Sequence, residues 1–169
     1  MSNQPTIEKL QQMKLNGMLQ AFQATMKTNI THQFTPDELI AHLVDAEWDE
    51  RYNRKLARLI KAANFRYNVS FEQIDFLHTR NLDKNLMLRL SSCEWIEKAE
   101  NVLITGPTGV GKSFLACALG HQATMLEYSA GYSSCIKLFA ALKLAKADGT
   151  YDKELKKLKK KHVVILDDF

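Results

Sequence analysis

The residues best equipped for chemistry stand at 106–113, GPTGVGKS, and fit the pattern G-x-x-x-x-G-K-[ST]. Gly106, Gly109 and Gly111 let the backbone fold back and bring N–H groups against phosphate oxygens with no Cβ in the way. Pro107, Thr108 and Val110 complete the loop, and Phe114 follows it into a helical pattern. Lys112 sets a point charge at the β- and γ-phosphates, and Ser113 offers a hydroxyl to Mg2+. A helix opening at Lys112 aims the positive end of its dipole at the same anion. The bland alternative is a glycine-rich turn. At average residue usage the four fixed positions coincide by chance in well under about one in a hundred chains of this length. The pattern therefore points to a nucleoside triphosphate such as ATP.

A second set follows at VVILDD, where Val163 to Leu166 run into Asp167 and Asp168. Mg2+ keeps much of its water and is held by one or two carboxylates together with phosphates. Asp167 is the Mg2+ candidate. Asp168 is the candidate for orienting or activating an attacking water. Alternation along a strand aims the two acids differently, which suits two roles. Alone, a strand ending in two acids reads as a solvated strand end. Downstream of a phosphate loop, the functional reading is preferred.

The elements that must position these residues change character along the chain. Before residue 98 the only prolines are Pro5 and Pro36 and the only glycine is Gly17, so helix is favoured. Ile7, Leu10, Met13, Leu15, Met18, Leu19, Phe22 and Met26 recur at near-helical spacing, with Gly17 as a bend or break. A second helix starts at Thr35 as N-cap, with Pro36 at its first position and Asp37 and Glu38 in its first turn. Its apolar period runs to Ile60 and fails after Asn64. Residues 71–100 read as a turn and two short helices. Then NVLITG reads as a strand, KSFLACALGHQATMLEY as a helix, and GYSSCIKL as a strand running into the helix LFAALKLAKADG. YDKELKKLKKK reads as a basic amphipathic helix and VVILDD as a buried strand. Strand alternating with helix implies a parallel sheet and the α/β class. A domain boundary is expected at 98–101. Trp48, Trp95, Phe22 and Phe34 read as core, and Met13, Met18 and Met26 as helix packing. His32, His42, His78, His121 and His162 show no metal-ligand spacing.

In bulk the chain is a globular type, with 46% hydrophobic and 25% charged residues and a net charge of +4. That charge is compatible with nucleic acid without arguing for it. Cys93, Cys117 and Cys135 form no CxxC pair and read as reduced thiols. No apolar run approaches a membrane span and the first residues lack a signal layout, so a cytoplasmic protein is expected.

Two basic runs stand out. Arg51, Arg54, Lys55 and Arg58, with Lys61 and Arg66 beyond, follow one face of the second helix. A charge stripe is usually a solvated face, and Asp45, Glu47, Asp49 and Glu50 can pair with part of it. The acids stop at Glu50 and the bases continue, leaving these six as candidates for backbone contact with DNA. The run Lys153 to Lys161 surrounds Leu155 and Leu158, and reads as lysine stems covering a surface helix or as a second DNA-facing patch.

The segments GPTGVGKSFLACALGHQA, KELKKLKKKHVVILDDF and YNRKLARLIKAANF together resemble the IstB-like ATPases. These are helper proteins encoded beside the transposase in a family of bacterial insertion sequences, related to DnaC-type helicase loaders within the AAA+ class. The resemblance runs from about residue 7 to residue 169. It implies an all-helical N-terminal domain over 1–98 and a P-loop AAA+ parallel-sheet domain over 99–169. It also implies ATP and Mg2+ as cofactors, and double-stranded DNA, a transposase and further copies of the chain as partners. Gly106 to Ser113 would correspond to the Walker A motif, and Asp167 and Asp168 to Walker B. Many AAA+ proteins carry Glu at the second acidic position, so Asp168 has a shorter reach as a base.

The same resemblance implies that the α/β domain is incomplete within these residues. A further strand, carrying a sensor residue, would lie between VLIT and VVILD, and an arginine finger and lid would follow. Without that strand the two would face a gap of roughly 9–10 Å. A piece of a longer protein that hydrolyses ATP poorly alone is therefore expected. Three other readings share these residues: a replicative helicase loader, a small-molecule kinase, and a helical binding module with a vestigial nucleotide site.

Overall fold

The computed structural model describes residues 3–28, 30–76 and 82–168. Its residues pack as two units, Met1–Lys55 and Leu56–Phe169. The division falls inside the long helix that begins at Pro36.

The first unit holds α1 (Gln4–Gln12), α2 (Asn16–Thr28), a 3-10 turn at Thr31–Gln33 and the start of α3 (Pro36–Ala63). The break expected near Gly17 falls just before it, where Lys14 takes a left-handed φ of 58°. Gly17 itself opens a path for backbone. A Cβ there would lie 2.2 Å from the Ala46 carbonyl oxygen. The start of α3 is a reciprocal cap: Glu38 N–H donates to Thr35 Oγ1 at 3.3 Å and Thr35 N–H donates to Glu38 Oε2 at 2.8 Å. Glu47 is buried yet fully used. It accepts from Gly17 N–H at 2.9 Å, Met18 N–H at 3.2 Å and Arg51 Nε at 2.6 Å. It thus satisfies two first-turn amides of α2 that have no partner within the helix. Two packing expectations are corrected here. Trp48 is 74% exposed and Met13 is 66% exposed. The face of α3 that meets Gly17 carries Ala46 and Glu47, and Trp48 lies on another face with exposed Ile40 and Val44.

The second unit begins with the last residues of α3. Asn64, at φ 53°, takes the left-handed conformation common at helix ends, where the apolar period stops. A 3-10 turn at Phe71–Gln73, α4 (Lys84–Ser91) and α5 (Glu94–Glu97) follow. Asp83 caps α4 by accepting from Asn85 N–H and Leu86 N–H. Residues 77–81, His78 among them, lie outside the described residues. Then come α6 (Lys112–Met125), β1 (Ala130–Ser134), α7 (Cys135–Ala147), α8 (Tyr151–Lys159) and β2 (Val163–Asp167). β1 and β2 pair in parallel, from Ala130 opposite Val163 to Ser134 opposite Asp167. The α/β class holds, as a helix-rich chain with a small parallel sheet.

The expected strand at 102–105 joins no ladder among the described residues. Its alternation survives: Val102 and Ile104 are half-buried, while Leu103 is 87% exposed. An extended segment without a neighbour on which to form its hydrogen bonds is not a sheet strand.

The helix α6 is the centre of the core. Ala123 packs with Ala63, Cys93, Ala130, Val163 and Ile165, and Ala118 and Leu119 pack with Ile74 and Met87. Small side chains on α6 permit this. A Cβ at Gly120 would fall 2.6 Å from Ile165 and 2.7 Å from the Phe65 ring. All three cysteines are buried and free, and burial pushes the Cys93 thiol up to about 11. No helix among the described residues is long and apolar enough to cross a membrane.

Candidate functional site

The loop 106–111 leads into α6 through three glycines in the positive-φ region: Gly106 at 152°, Gly109 at 86° and Gly111 at 92°. These are backbone states that L side chains seldom adopt. Gly111 is the N-cap residue of α6, so the N-terminal amides of that helix face the loop. Lys112 Nζ donates to the carbonyls of Gly106 at 2.9 Å and Pro107 at 2.8 Å, folding its ammonium over the loop. Phe114 lies 6.4 Å from the Tyr67 ring, centroid to centroid, and packs with the Ile74 cluster.

The strand β2 delivers the first acid by its pleat. Val163 and Ile165 are buried on one face, and Asp167 continues that face, while Val164 and Leu166 are exposed. Asp167 Oδ1 accepts from Ser113 Oγ at 3.0 Å, joining the loop to the sheet. Asp167 Oδ2 accepts from the Tyr132 hydroxyl at 2.5 Å and from Arg66 at 3.4 Å. Burial alone would raise the Asp167 carboxyl. Hydrogen bonds from Tyr132, Ser113, the Asp168 backbone and Arg66 outweigh it and hold the group below its ordinary value. Tyr132 is pushed up to about 12, by burial first and then by its bond to Asp167. Both therefore keep their roles at neutral pH, acceptor and donor. Asp168 takes a left-handed φ of 56° and is turned off that line, with its Oδ2 3.7 Å from Arg66.

The donor set fits a magnesium-bound nucleotide. Ser113 Oγ and an ionised Asp167 are hard oxygen groups within hydrogen-bond reach of one another, at the mouth of a loop whose positive-φ positions are all glycine.

The six basic candidates divide between the two units. In the first unit Arg51 is held by Glu47 at 2.6 Å and Arg54 lies 3.9 Å from Glu50, while Lys55 is half-buried. In the second unit Arg58 and Lys61 are exposed. Arg66 is directed at the acid pair instead. In the lysine run, Lys157 pairs with Glu154 at 2.6 Å and Lys161 reaches the Ala62 carbonyl at 3.5 Å. Tyr132 was missed from sequence. Its spacing before the end of β1 was readable, but which strand neighbours β2 was not.

Loop, helix and acid-ended parallel strand together define an α/β protein of the phosphate-loop class. Its family follows from comparison. The chain matches the family of IstB-like ATP binding proteins over residues 8–169, and it belongs to that family. It is 39% identical, over 98% of its length, to a Sinorhizobium fredii protein named as the insertion sequence ATP-binding protein y4pL, of which it spans 67%. It is 39% identical, over its whole length, to a Pseudomonas fluorescens protein named as the ATP-binding protein of insertion sequence IS1162, of which it spans 74%. A second Sinorhizobium fredii relative, y4uH, is 36% identical, with 68% of it spanned.

Proposed function

We propose that this chain binds ATP with Mg2+ and serves as the nucleotide-dependent helper of an insertion-sequence transposase on double-stranded DNA. The observation that carries the reading is the 3.0 Å bond between Ser113 and Asp167, which brings the phosphate-loop hydroxyl and the strand-end acid to one point. In this reading the backbone N–H groups of 106–111 cradle the phosphates. Lys112 leaves the Gly106 and Pro107 carbonyls for the β- and γ-phosphates. Ser113 and Asp167 hold the metal and its water, and Asp168 orients the attacking water. Phe114 closes the base of the loop.

The names of the relatives, as ATP-binding proteins of insertion sequences, support the transposition role. For DNA we assign backbone contact to Arg58 and Lys61, exposed in the second unit. The helical residues 1–98 supply contacts to the transposase and to further copies of the chain, residues 99–169 supply the nucleotide loop and acids, and the setting is the cytoplasm.

Lysine-reactive acylation followed by mass mapping tests the nucleotide reading. ATP with Mg2+ will protect Lys112 and leave Arg58-side lysines such as Lys61 reactive. Equal labelling of Lys112 with and without ATP would contradict it. Co-purification with a transposase, and not with a replicative helicase, separates the transposition role from helicase loading.

A further inference from the structure

We propose that Arg66 competes with Mg2+ for the acid pair and so sets the Mg2+ concentration at which this chain holds nucleotide. The proposal rests on the nucleotide reading above and adds to it a residue that no phosphate-loop pattern contains.

The geometry comes from the way the chain leaves α3. Asn64 turns in the left-handed conformation, Phe65 packs into the core beside Gly120 and Ile165, and the next side chain is thereby aimed at the end of β2. Arg66 Nη1 then lies 3.4 Å from Asp167 Oδ2 and 3.7 Å from Asp168 Oδ2, so one guanidinium spans both acids. Neighbouring carboxylates repel, and a cation between them relieves that repulsion. Mg2+ would do the same work at the same place, and two cations on one acid pair repel each other.

Lone pairs lead to the same conclusion. A carboxylate offers about four acceptor sites. On Asp167, Ser113 takes one at Oδ1, and Tyr132 and Arg66 share Oδ2. The serine, tyrosine and Asp168 backbone bonds orient the group, and with the arginine all of its acceptor sites are taken, so release of Arg66 would free one for a metal or its water.

Arg66 also has somewhere to go. Its side chain is half exposed and lines an open cleft of about 470 Å³ with Asp168, Ser133 and Lys137. The Tyr67 ring, whose centroid is 5.5 Å from the guanidinium carbon, already lies against it and can keep that cation–π contact as the head group swings into the cleft. Release therefore strands no buried charge.

The test is a Mg2+ titration of the binding of a fluorescent ATP analogue to the purified chain, read at equilibrium. Arg66→Gln and Arg66→Ala will lower the half-saturating Mg2+ concentration about three- to fivefold, the scale of a partly exposed ion pair. Arg66→Lys keeps the charge but not the fork that spans both acids, and will fall between the wild type and the neutral variants. Neutral variants whose midpoint equals or exceeds that of the wild type would overturn the proposal, as would a lysine variant that behaves like them. Failure of the nucleotide reading looks different, since the wild type would then bind no analogue at any Mg2+ concentration.

Discussion

Ser113 Oγ donates to Asp167 Oδ1 at 3.0 Å, a hydrogen bond between residues 54 positions apart. It fixes where α6 starts relative to the end of β2. It also leaves Asp167 ionised, with its charge at the mouth of the phosphate loop. Asp167→Asn keeps the shape and removes the charge. Its affinity for ATP will fall roughly tenfold or more in Mg2+, the scale of a charged hydrogen bond, and change little in EDTA. Equilibrium titrations in the two buffers check this.

Gly17 tests the close passage of α2 against α3 in the first unit. Alanine is the better helix former by about 1 kcal/mol. Here its Cβ would stand 2.2 Å from the Ala46 oxygen and 2.8 Å from the Glu47 Cα, both backbone atoms that cannot swing aside. Gly17→Ala will therefore destabilise by about 1–3 kcal/mol, the cost of overpacking, and reverse the propensity trend. Thermal or urea melts of the two proteins measure it.

Glu47 makes the first unit sensitive to acid. Burial would raise its carboxyl, but the bonds from Arg51, Met18 and Gly17 prevail and hold it below its ordinary value of 4.5. A depressed folded pKa means that the unfolded chain takes up the proton first, so the contribution is complete above about 4.5 and is lost as the pH falls through the folded value. Glu47→Gln will cost about 2 kcal/mol at pH 7. Its melting temperature will also vary less with pH below 5 than that of the wild type. Parallel slopes for the two proteins would refute the assignment.

Arg58 and Lys61 carry the DNA proposal in the second unit. Replacing both by Glu will weaken binding to a DNA duplex at every sequence tried, and will lower the slope of log K against log salt by about 2. A change confined to one sequence would mean that these residues read bases.

The legible parts of this molecule were those governed by local rules. The cap at Thr35, the helix end at Asn64 and the loop 106–113 each rest on residues within a few positions of one another. Pairing was harder to read. The segment 102–105 has a strand pattern, yet a pattern cannot supply a neighbour, and none lies beside it among the described residues. Trp48 looked like core because it keeps the apolar period of α3, but the buried face was chosen by Gly17, far away in sequence, which admits only backbone. Arg66 looked like the tail of a basic stripe. The left-handed turn at Asn64 takes it off the helix and sends it to Asp167, 101 positions along the chain, and to Asp168 beside it. Arg51 was absorbed by a buried glutamate whose burial no periodicity announces.

We read residues 106–113 and Asp167 as one site for ATP and Mg2+. Isothermal titration of the purified chain with ATP tests it most directly. Binding will be saturable and one-to-one, tighter with Mg2+ than with EDTA, and lost in Lys112→Ala while the melting profile of the variant is retained. Absence of binding by the folded wild type, or binding that Lys112→Ala leaves intact, would contradict it.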